Sequence, residues 1–327
     1  MTLESLNLNS LDPASPPLRT LRLSRNGRVL TVGVDAPPHN FMTTTMQQDL
    51  LRVVRAVDAD TSIGVVVLTG AVTGRFITHF DIADLLAAAE AAPSLPRPAA
   101  RALLAAVRAL SACGAERIVE RSRLAGVLAI SRFHQLVLGI ARSRALWIAA
   151  IDGPCGGGGL EMSVFCDMRI AAETATFIVP ELSVGLTTTV GAQRFTHLVG
   201  PARALEMMLE ARAYSAAEAQ AAGLVQRVVP QQDLLEEAAR TAARYARRPS
   251  SAVAAQKRII NQAYTLGARA VLKREGIAQL TGVPTPGTRA ALRRWLAMRQ
   301  PDGDSVFLTS PGPWRDGTAV DFHQPPP

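Results

Sequence analysis

The sequence predicts a mixed α/β fold from three features: an alternating hairpin near its start, two short continuous apolar runs, and helical spacing around them. The segment LRTLRLSRNGRVLTVGVD alternates apolar and polar residues around Asn26-Gly27, a two-residue hairpin signal. FMTTTMQQDLLRVVRAVDAD follows with helical spacing at Met46, Leu50, Val53, Val54 and Val57, and its threonines are available as caps. SIGVVVLTG is a continuous apolar run ending in glycine, which reads as a strand buried on both faces. The order is hairpin, helix, parallel strand.

From about Asp84 to Arg144 the chain is rich in Ala, Leu and Arg, broken by PSLPRP at 93–98 and by Gly114, and reads as several helices. ALWIAAIDG is the second buried strand, followed by four consecutive glycines. GLEMSVFCDMRIAA begins as a helix and leads into the strand-like MRIAAETATFIV. PARALEMMLEA is a further helix, and SAAEAQAAGLVQRVVP reads as helix, cap and short strand, with Ser215 and Glu218 in capping-box spacing. DLLEEAARTAARYARR and SAVAAQKRIINQAYTL are amphipathic helices, with helix expected through Trp295. Residues 1–18 read as a loose lead-in and 301–327 as a weakly ordered tail containing Pro and Gly.

Composition narrows the function. The chain has 327 residues, 48% hydrophobic and 19% charged, which suits one large domain with or without an appendage. Its formal charge of +8 and pI near 10.3 come almost wholly from arginine, since Lys257 and Lys273 are the only lysines. The basic residues form no block and no aromatic interleaving, so nucleic-acid binding is not expected. Cys113, Cys155 and Cys166 form no metal spacing and are odd in number, which points to a reducing cytoplasm. The N-terminus lacks a basic-then-apolar signal. The longest apolar stretch, LAGVLAISRFHQLVLGIA, contains Arg132 and His134, so no membrane span is expected.

The glycine run in IDGPCGGGGLEMSVFCDMRIA needs a chemical reason, because ordering glycine is costly. The spacing gives neither G-x-G-x-x-G nor a P-loop, since Leu160 follows Gly159 where Lys-Ser/Thr is required. There is no G-x-S-x-G elbow and no H-E-x-x-H metal motif. What remains is a buried strand feeding a glycine turn that opens a helix, whose unpaired N–H groups suit a developing oxyanion. Glu161 falls in the first turn of that helix, and Glu181 follows Pro180 in a loop after a strand. Two carboxylates at one oxyanion site can divide general acid and general base work. Taken singly, each also reads as tight helix packing or an ordinary acidic residue.

Taken in order, the segments VVVLTG, GRFITHFDI, IDGPCGGGGLEMSVFCDMRIAAETATFIVPELSVGL and QRFTHLVGPARALEMMLEARAYSAAEAQAAGLVQRVVP resemble the crotonase, or enoyl-CoA hydratase/isomerase, superfamily. The helix around AAQKRIINQAY extends the likeness, which covers about residues 20 to 300. The resemblance implies an α/β fold: a crotonase-like ββα spiral core and a C-terminal helical trimerisation region. The core would span 19–230 with a helical insertion near 85–145, and the helical region 231–300. It also implies an acyl-CoA thioester substrate, coenzyme A arriving as part of it with no other cofactor and no metal. Assembly would be as a homotrimer or a dimer of trimers.

By that resemblance the oxyanion hole falls at the backbone N–H groups of Thr78 and Gly158. Phe76, His79, Phe80, Asp81, Ile82 and Gly157 contact substrate, and Glu161 and Glu181 are the catalytic pair. Glu161 would activate water, and Glu181 would deliver the proton to the α-carbon. Where the family usually has Ala-Gly, this chain has Thr78-His79. His79 thus adds a titratable group beside the thioester, for substrate contact or proton transfer; a lone histidine also reads as simply packed or exposed.

Three further departures stand out. GLTTTVGAQRF lacks the Pro-Gly-x-Gly-Gly run usual after the second glutamate. The span from Asp81 to Asp152 is about twice the usual length, and DAPPHNFM lacks the basic residue often found beside the CoA phosphates. The glutamate pair favours reversible hydration of a 2-enoyl-CoA. Double-bond isomerisation or C–C bond cleavage would use the same hole, and a non-catalytic acyl-CoA-binding protein is the reading from another class.

Overall fold

The computed structural model describes residues 17–91, 96–114, 116–120, 122, 125–188, 190–262, 277, 281, 285–298 and 310–323. The lead-in before residue 17, the helix expected across 263–276 and the final Pro triplet lie outside the described residues.

The hairpin pairs β1 (Leu21–Asn26) with β2 (Val29–Val34), with Asn26 opposite Val29. The two-residue loop is therefore Gly27-Arg28, one position later than the Asn-Gly signal suggests. Gly27 has φ +55°, and glycine at the first loop position is the type II′ arrangement. α1 (Thr44–Ala59) follows, capped by Thr43, whose hydroxyl accepts the Met46 N–H at 3.2 Å. β3 (Val65–Gly70) then lies parallel to β2.

Between β3 and the strand at Leu146–Ile151 lie α2 (Ile82–Ala91), α3 (Arg97–Ala112), α4 (Glu116–Glu120) and α5 (Ala125–Arg142). Val107, Val119 and Leu128 form a small core of their own there, and Arg132 pairs with Glu116 and Glu120. β4 (Leu146–Ile151) returns to the sheet, and β5 (Pro154–Gly156) leads into α6 (Gly157–Ser163). β6 (Met168–Ala172), β7 (Thr176–Ile178), α7 (Ala192–Val199), α8 (Pro201–Glu210), β8 (Tyr214–Ser215), α9 (Ala216–Ala221) and β9 (Arg227–Val229) complete the core. The capping box is formed: Ser215 Oγ accepts the Glu218 N–H, and Glu218 accepts the Ser215 N–H.

Two sheets result. The larger runs β1-β2-β3-β4-β6-β9, parallel except for the hairpin; the smaller runs β5-β7-β8. The period of two in VVVL assigns residues to faces. Val66 and Leu68 pack with α1 and α5, whereas Val65 and Val67 pack with Ala238 and Ala242 of α10 (Leu234–Ala246). Burial on both faces is why this strand reads as a continuous apolar run.

α11 (Ser250–Gln262) docks through Lys257, which is 5% exposed. Its ammonium donates to Ile140 O and Ala145 O, each at 2.9 Å, and meets Asp167 Oδ2 at 2.7 Å. A further helix spans Pro286–Ala297. Of the tail, residues 310–323 are described. A short helix at Pro311–Arg315 is held against the end of α10, where Arg248 donates to the carbonyls of Trp314 (2.8 Å) and Arg315 (2.7 Å). Backbone carbonyls satisfied by arginine anchor a segment whose composition alone suggests none.

Candidate active site

Gly156 and Gly159 face the Thr78 and Ile77 carbonyls, whereas Gly157 and Gly158 face the Glu181 and Phe80 side chains. A Cβ on Gly159 would stand 2.0 Å from Ile77 O, and one on Gly158 would stand 2.6 Å from the Phe80 ring. Gly157 also has φ +43°. No larger residue fits at Gly159 without displacing the Ile77 carbonyl, or at Gly158 without moving the Phe80 ring, so this close approach is what the glycine run provides.

The same contacts orient the backbone donors. A trans peptide points its C=O and N–H in opposite directions. Ile77 O faces Gly159, so the Thr78 N–H points away, and it donates to Asn40 O at 3.3 Å. The expected Thr78 donor is therefore turned from α6. The next peptide but one is reversed: His79 O accepts the Met42 N–H at 2.8 Å, so the Phe80 N–H faces the α6 side. The Phe80 ring covers Gly158 and stands edge-on to Phe133, with ring centroids 5.2 Å apart. Peptide orientation of this kind, which turns the Phe80 N–H and not the Thr78 N–H toward α6, leaves no mark in a sequence.

Glu161 is the fifth residue of α6, beyond the first turn, and is buried at 4% exposure. Val190 N–H donates to its Oε1 at 2.9 Å. A cavity of about 10 Å³ lies beside Glu161, Gly157 and Val190, walled by Leu160, Ile178 and Phe195. That is at the lower limit for holding one water. Glu181 opens a 3-10 turn, Glu181–Val184, directly after β7 and Pro180. Its Oε1 lies 3.2 Å from the Cβ position of Gly157, and burial pushes its carboxyl above the usual carboxylate range. Gly157 therefore borders both glutamates.

His79 reaches the same glycine, its Cβ 3.5 Å from the Gly157 Cβ position. Its ring stacks on Phe41 at 4.5 Å and 24°, and its Nδ1 lies 2.6 Å from Phe80 O. A carbonyl only accepts, so Nδ1 carries the proton. The remaining substrate-contact expectations divide. Phe76 is fully buried in the main core and is a wall behind the site. Asp81 caps α2, its Oδ1 accepting the Ala83 N–H at 2.8 Å and the Asp84 N–H at 3.4 Å. Ile82 is 59% exposed at the start of α2.

Two supporting residues escaped the sequence reading. Asn40, at φ +52°, holds the β2–α1 turn: its Oδ1 accepts the Ala36 N–H at 2.9 Å and its Nδ2 donates to Val34 O at 3.2 Å. An asparagine two residues past Pro37-Pro38 was the available signal. Arg169 is buried and fixes the far end of α6, donating to Ser163 O (2.9 Å), Cys166 O (3.1 Å) and Leu224 O (2.6 Å). Burial brings its pKa down to about 10, which leaves it charged at neutral pH. Among the described residues no cluster of His, Cys, Asp or Glu could hold a metal ion, and no helix is long and apolar enough to cross a membrane.

The fold and the site define a protein with a glycine-lined backbone pocket flanked by two buried carboxylates. Residues 119–285, just over half of the chain, match the enoyl-CoA hydratase/isomerase family model. The chain belongs to that family, within the crotonase superfamily. It is 42% identical over 126 residues to a probable enoyl-CoA hydratase of Mycobacterium tuberculosis, covering 38% of this chain and 49% of the relative. The chain thus spans about half the length of the mycobacterial relatives it matches. The 2,3-dehydroadipyl-CoA hydratase of Escherichia coli is 29% identical over 284 residues, 86% of this chain and 97% of the relative. An enoyl-CoA hydratase/carnitine racemase structure from Magnetospirillum magneticum aligns with TM-score 0.69 and 27% identity, covering 87% of this chain and 95% of that one. A Geobacillus kaustophilus enoyl-CoA hydratase shares the fold with TM-score 0.72 at 23% identity, over 88% and 97% of the two chains.

Proposed function

We propose that this protein binds a 2-enoyl thioester of coenzyme A and catalyses reversible addition of water across its double bond. The observation that carries the reading is the position of Gly157, bordered by Glu161 and Glu181 and followed at once by the Gly158 donor. In this reading the thioester oxygen accepts the N–H groups of Phe80 and Gly158, which stabilise the enolate-like charge as it develops. Glu161 takes a proton from water as the oxygen bonds to the β-carbon. Glu181, held in its protonated form to higher pH by burial, delivers a proton to the α-carbon. His79, its Cβ 3.5 Å from the Gly157 Cβ position, contacts substrate beside the acyl group.

A second reaction on the same hole is double-bond isomerisation. It is favoured by the Val190 N–H on Glu161 and by the tight cavity there, which leave Glu181 as the carboxylate nearer His79. A non-catalytic acyl-CoA-binding protein would have the same hole without turnover. Assembly as a homotrimer or a dimer of trimers is part of the proposal, supported by the exposed Leu205 and Leu209 on α8. So is a cytoplasmic setting, supported by three free thiols.

The test is hydration of a panel of 2-enoyl-CoA thioesters by wild type, Glu161→Gln and Glu181→Gln. Loss of turnover by about 10²- to 10⁴-fold in both variants supports the two-glutamate hydratase. Isomerisation of a 3-enoyl-CoA that survives Glu161→Gln selects the second reading. Tight acyl-CoA binding without turnover in wild type leaves a binding protein.

A further inference from the structure

A cleft of about 580 Å³ lies between the β1–β2 hairpin, α10 and the C-terminal segment. It is remote from the glycine site. The site gathers around the end of β2 that runs into Asp35–Met42, whereas the cleft is lined by Asn26, Arg28, Val29 and Thr31, at the opposite end of the hairpin. The volume falls within the range of small-molecule pockets. Its roof, Gly317 to His323, is fastened: Arg247 donates to Asp316 O at 2.7 Å, and His323 Nε2 lies 2.9 Å from Ala246 O.

The floor is apolar and low. Val29 and the alanines Ala239, Ala243 and Ala246 of α10 supply it, and Ala239 and Ala243 are exposed although they face inward to the cleft. One edge is basic. Arg28 donates to Ala246 O (3.3 Å) and Ser250 Oγ (2.8 Å), so its guanidinium is held in place before any ligand arrives. Arg25 and Arg144 are close enough to depress its pKa, after burial as the larger cause, and Asp321 and Asp60 oppose them. Arg247 adds a further positive charge to the lining. Asp321 is the carboxylate of the cleft itself, so the edge carries an excess of positive charge over an apolar floor.

We infer that this cleft is a second binding site, for an amphipathic organic anion whose carboxylate or phosphate head meets Arg28 and whose apolar body lies over Val29 and the alanines of α10. A fixed guanidinium binds an oxyanion at lower entropic cost than a mobile one. The inference does not depend on which reaction the glycine site performs.

Calorimetric titration of the full chain with octanoate, octyl phosphate and inorganic phosphate tests it. Saturable binding of one octyl compound is expected, with inorganic phosphate at least tenfold weaker. Comparing octanoate with octyl phosphate identifies the head group. Ala243→Leu fills the floor while leaving Arg28 and its hydrogen-bond partners unsubstituted, and should weaken binding at least tenfold. Asp321→Asn removes the opposing charge and should tighten binding about threefold, an increase that a misfolded variant would not produce. No saturable binding, or octyl binding that neither substitution changes, overturns the inference.

Discussion

Glu181 Oε1 lies 3.2 Å from the point where Gly157 would carry a Cβ, so the carboxylate and the turn opening α6 meet at a glycine, and a methyl there would press the carboxylate aside. The contact joins two segments 24 residues apart (181 − 157) and makes the glycine part of the carboxylate's environment.

Gly157→Ala should therefore cost activity more than stability. The new methyl presses on Glu181 Oε1 and sits at φ +43°. Left-handed backbone at a non-glycine residue costs about 1–2 kcal/mol. Turnover should drop at least tenfold while thermal melting moves by only a few degrees. Equal proportional losses in acyl-CoA affinity and melting temperature would indicate general unfolding instead.

Gly158→Ala makes a harsher clash, with the Phe80 ring 2.6 Å from the added carbon. Displacing one of the two proposed oxyanion donors should lower kcat by about 10²- to 10³-fold. Thr78→Ser, which leaves the Asn40 hydrogen bond in place, should stay within about twofold of wild type. Steady-state kinetics on the same thioester separate the two residues.

Burial raises the Glu181 pKa above its ordinary 4.5, and the sign of the pH effect follows. The native state holds the proton more tightly than the unfolded chain. The associated stability is fully present below pH 4.5 and is lost as pH rises through the raised value. Glu181→Gln cannot lose that proton. Its stability relative to wild type should therefore grow as pH rises from 4 towards neutrality, read from melting temperatures of the two proteins at matched pH. A difference that is constant with pH would show that the carboxyl titrates alike in both states.

Lys257→Met leaves Asp167 buried without its cation and removes the ammonium donor from the Ile140 and Ala145 carbonyls. Removing one partner of a buried ion pair costs roughly 3–5 kcal/mol. Urea unfolding should show that loss, and Lys257→Met with Asp167→Asn should recover part of it.

The apolar residues of α2 face solvent next to the site, with Ile82 and Leu86 each 59% exposed. If they flank the acyl group, Leu86→Ser should raise KM for long-chain thioesters several-fold and leave short-chain ones unchanged. Equal KM across chain lengths would place α2 outside the acyl path.

The hairpin, both buried strands, α1 and the capping box at Ser215 were legible because local rules dictate them: alternation, apolar runs, and a hydroxyl three residues before an N–H. The glycine run and the two glutamates were legible as residue types at a spacing. The hairpin loop shifted by one residue because strand register, set by packing of Leu30, Val32 and Val34, outweighs the preferred turn pair. Glu161 fell later in its helix because α6 begins at Gly157 and takes three glycines of the run into its first turn.

By itself the sequence determined the α/β order, the family and the candidate carboxylates, since each depends on residue identity along one dimension. Only the tertiary structure decided which amide faces the site. Ile77 O turns to Gly159 and His79 O to Met42, and a planar trans peptide then leaves Phe80, not Thr78, with its N–H on the α6 side. The docking of Pro311–Arg315 was decided in the same way, by Arg247 and Arg248 just past α10 reaching carbonyls more than sixty residues away in sequence. Such pairings between distant segments depend on where packing brings each backbone dipole, which composition and period do not encode.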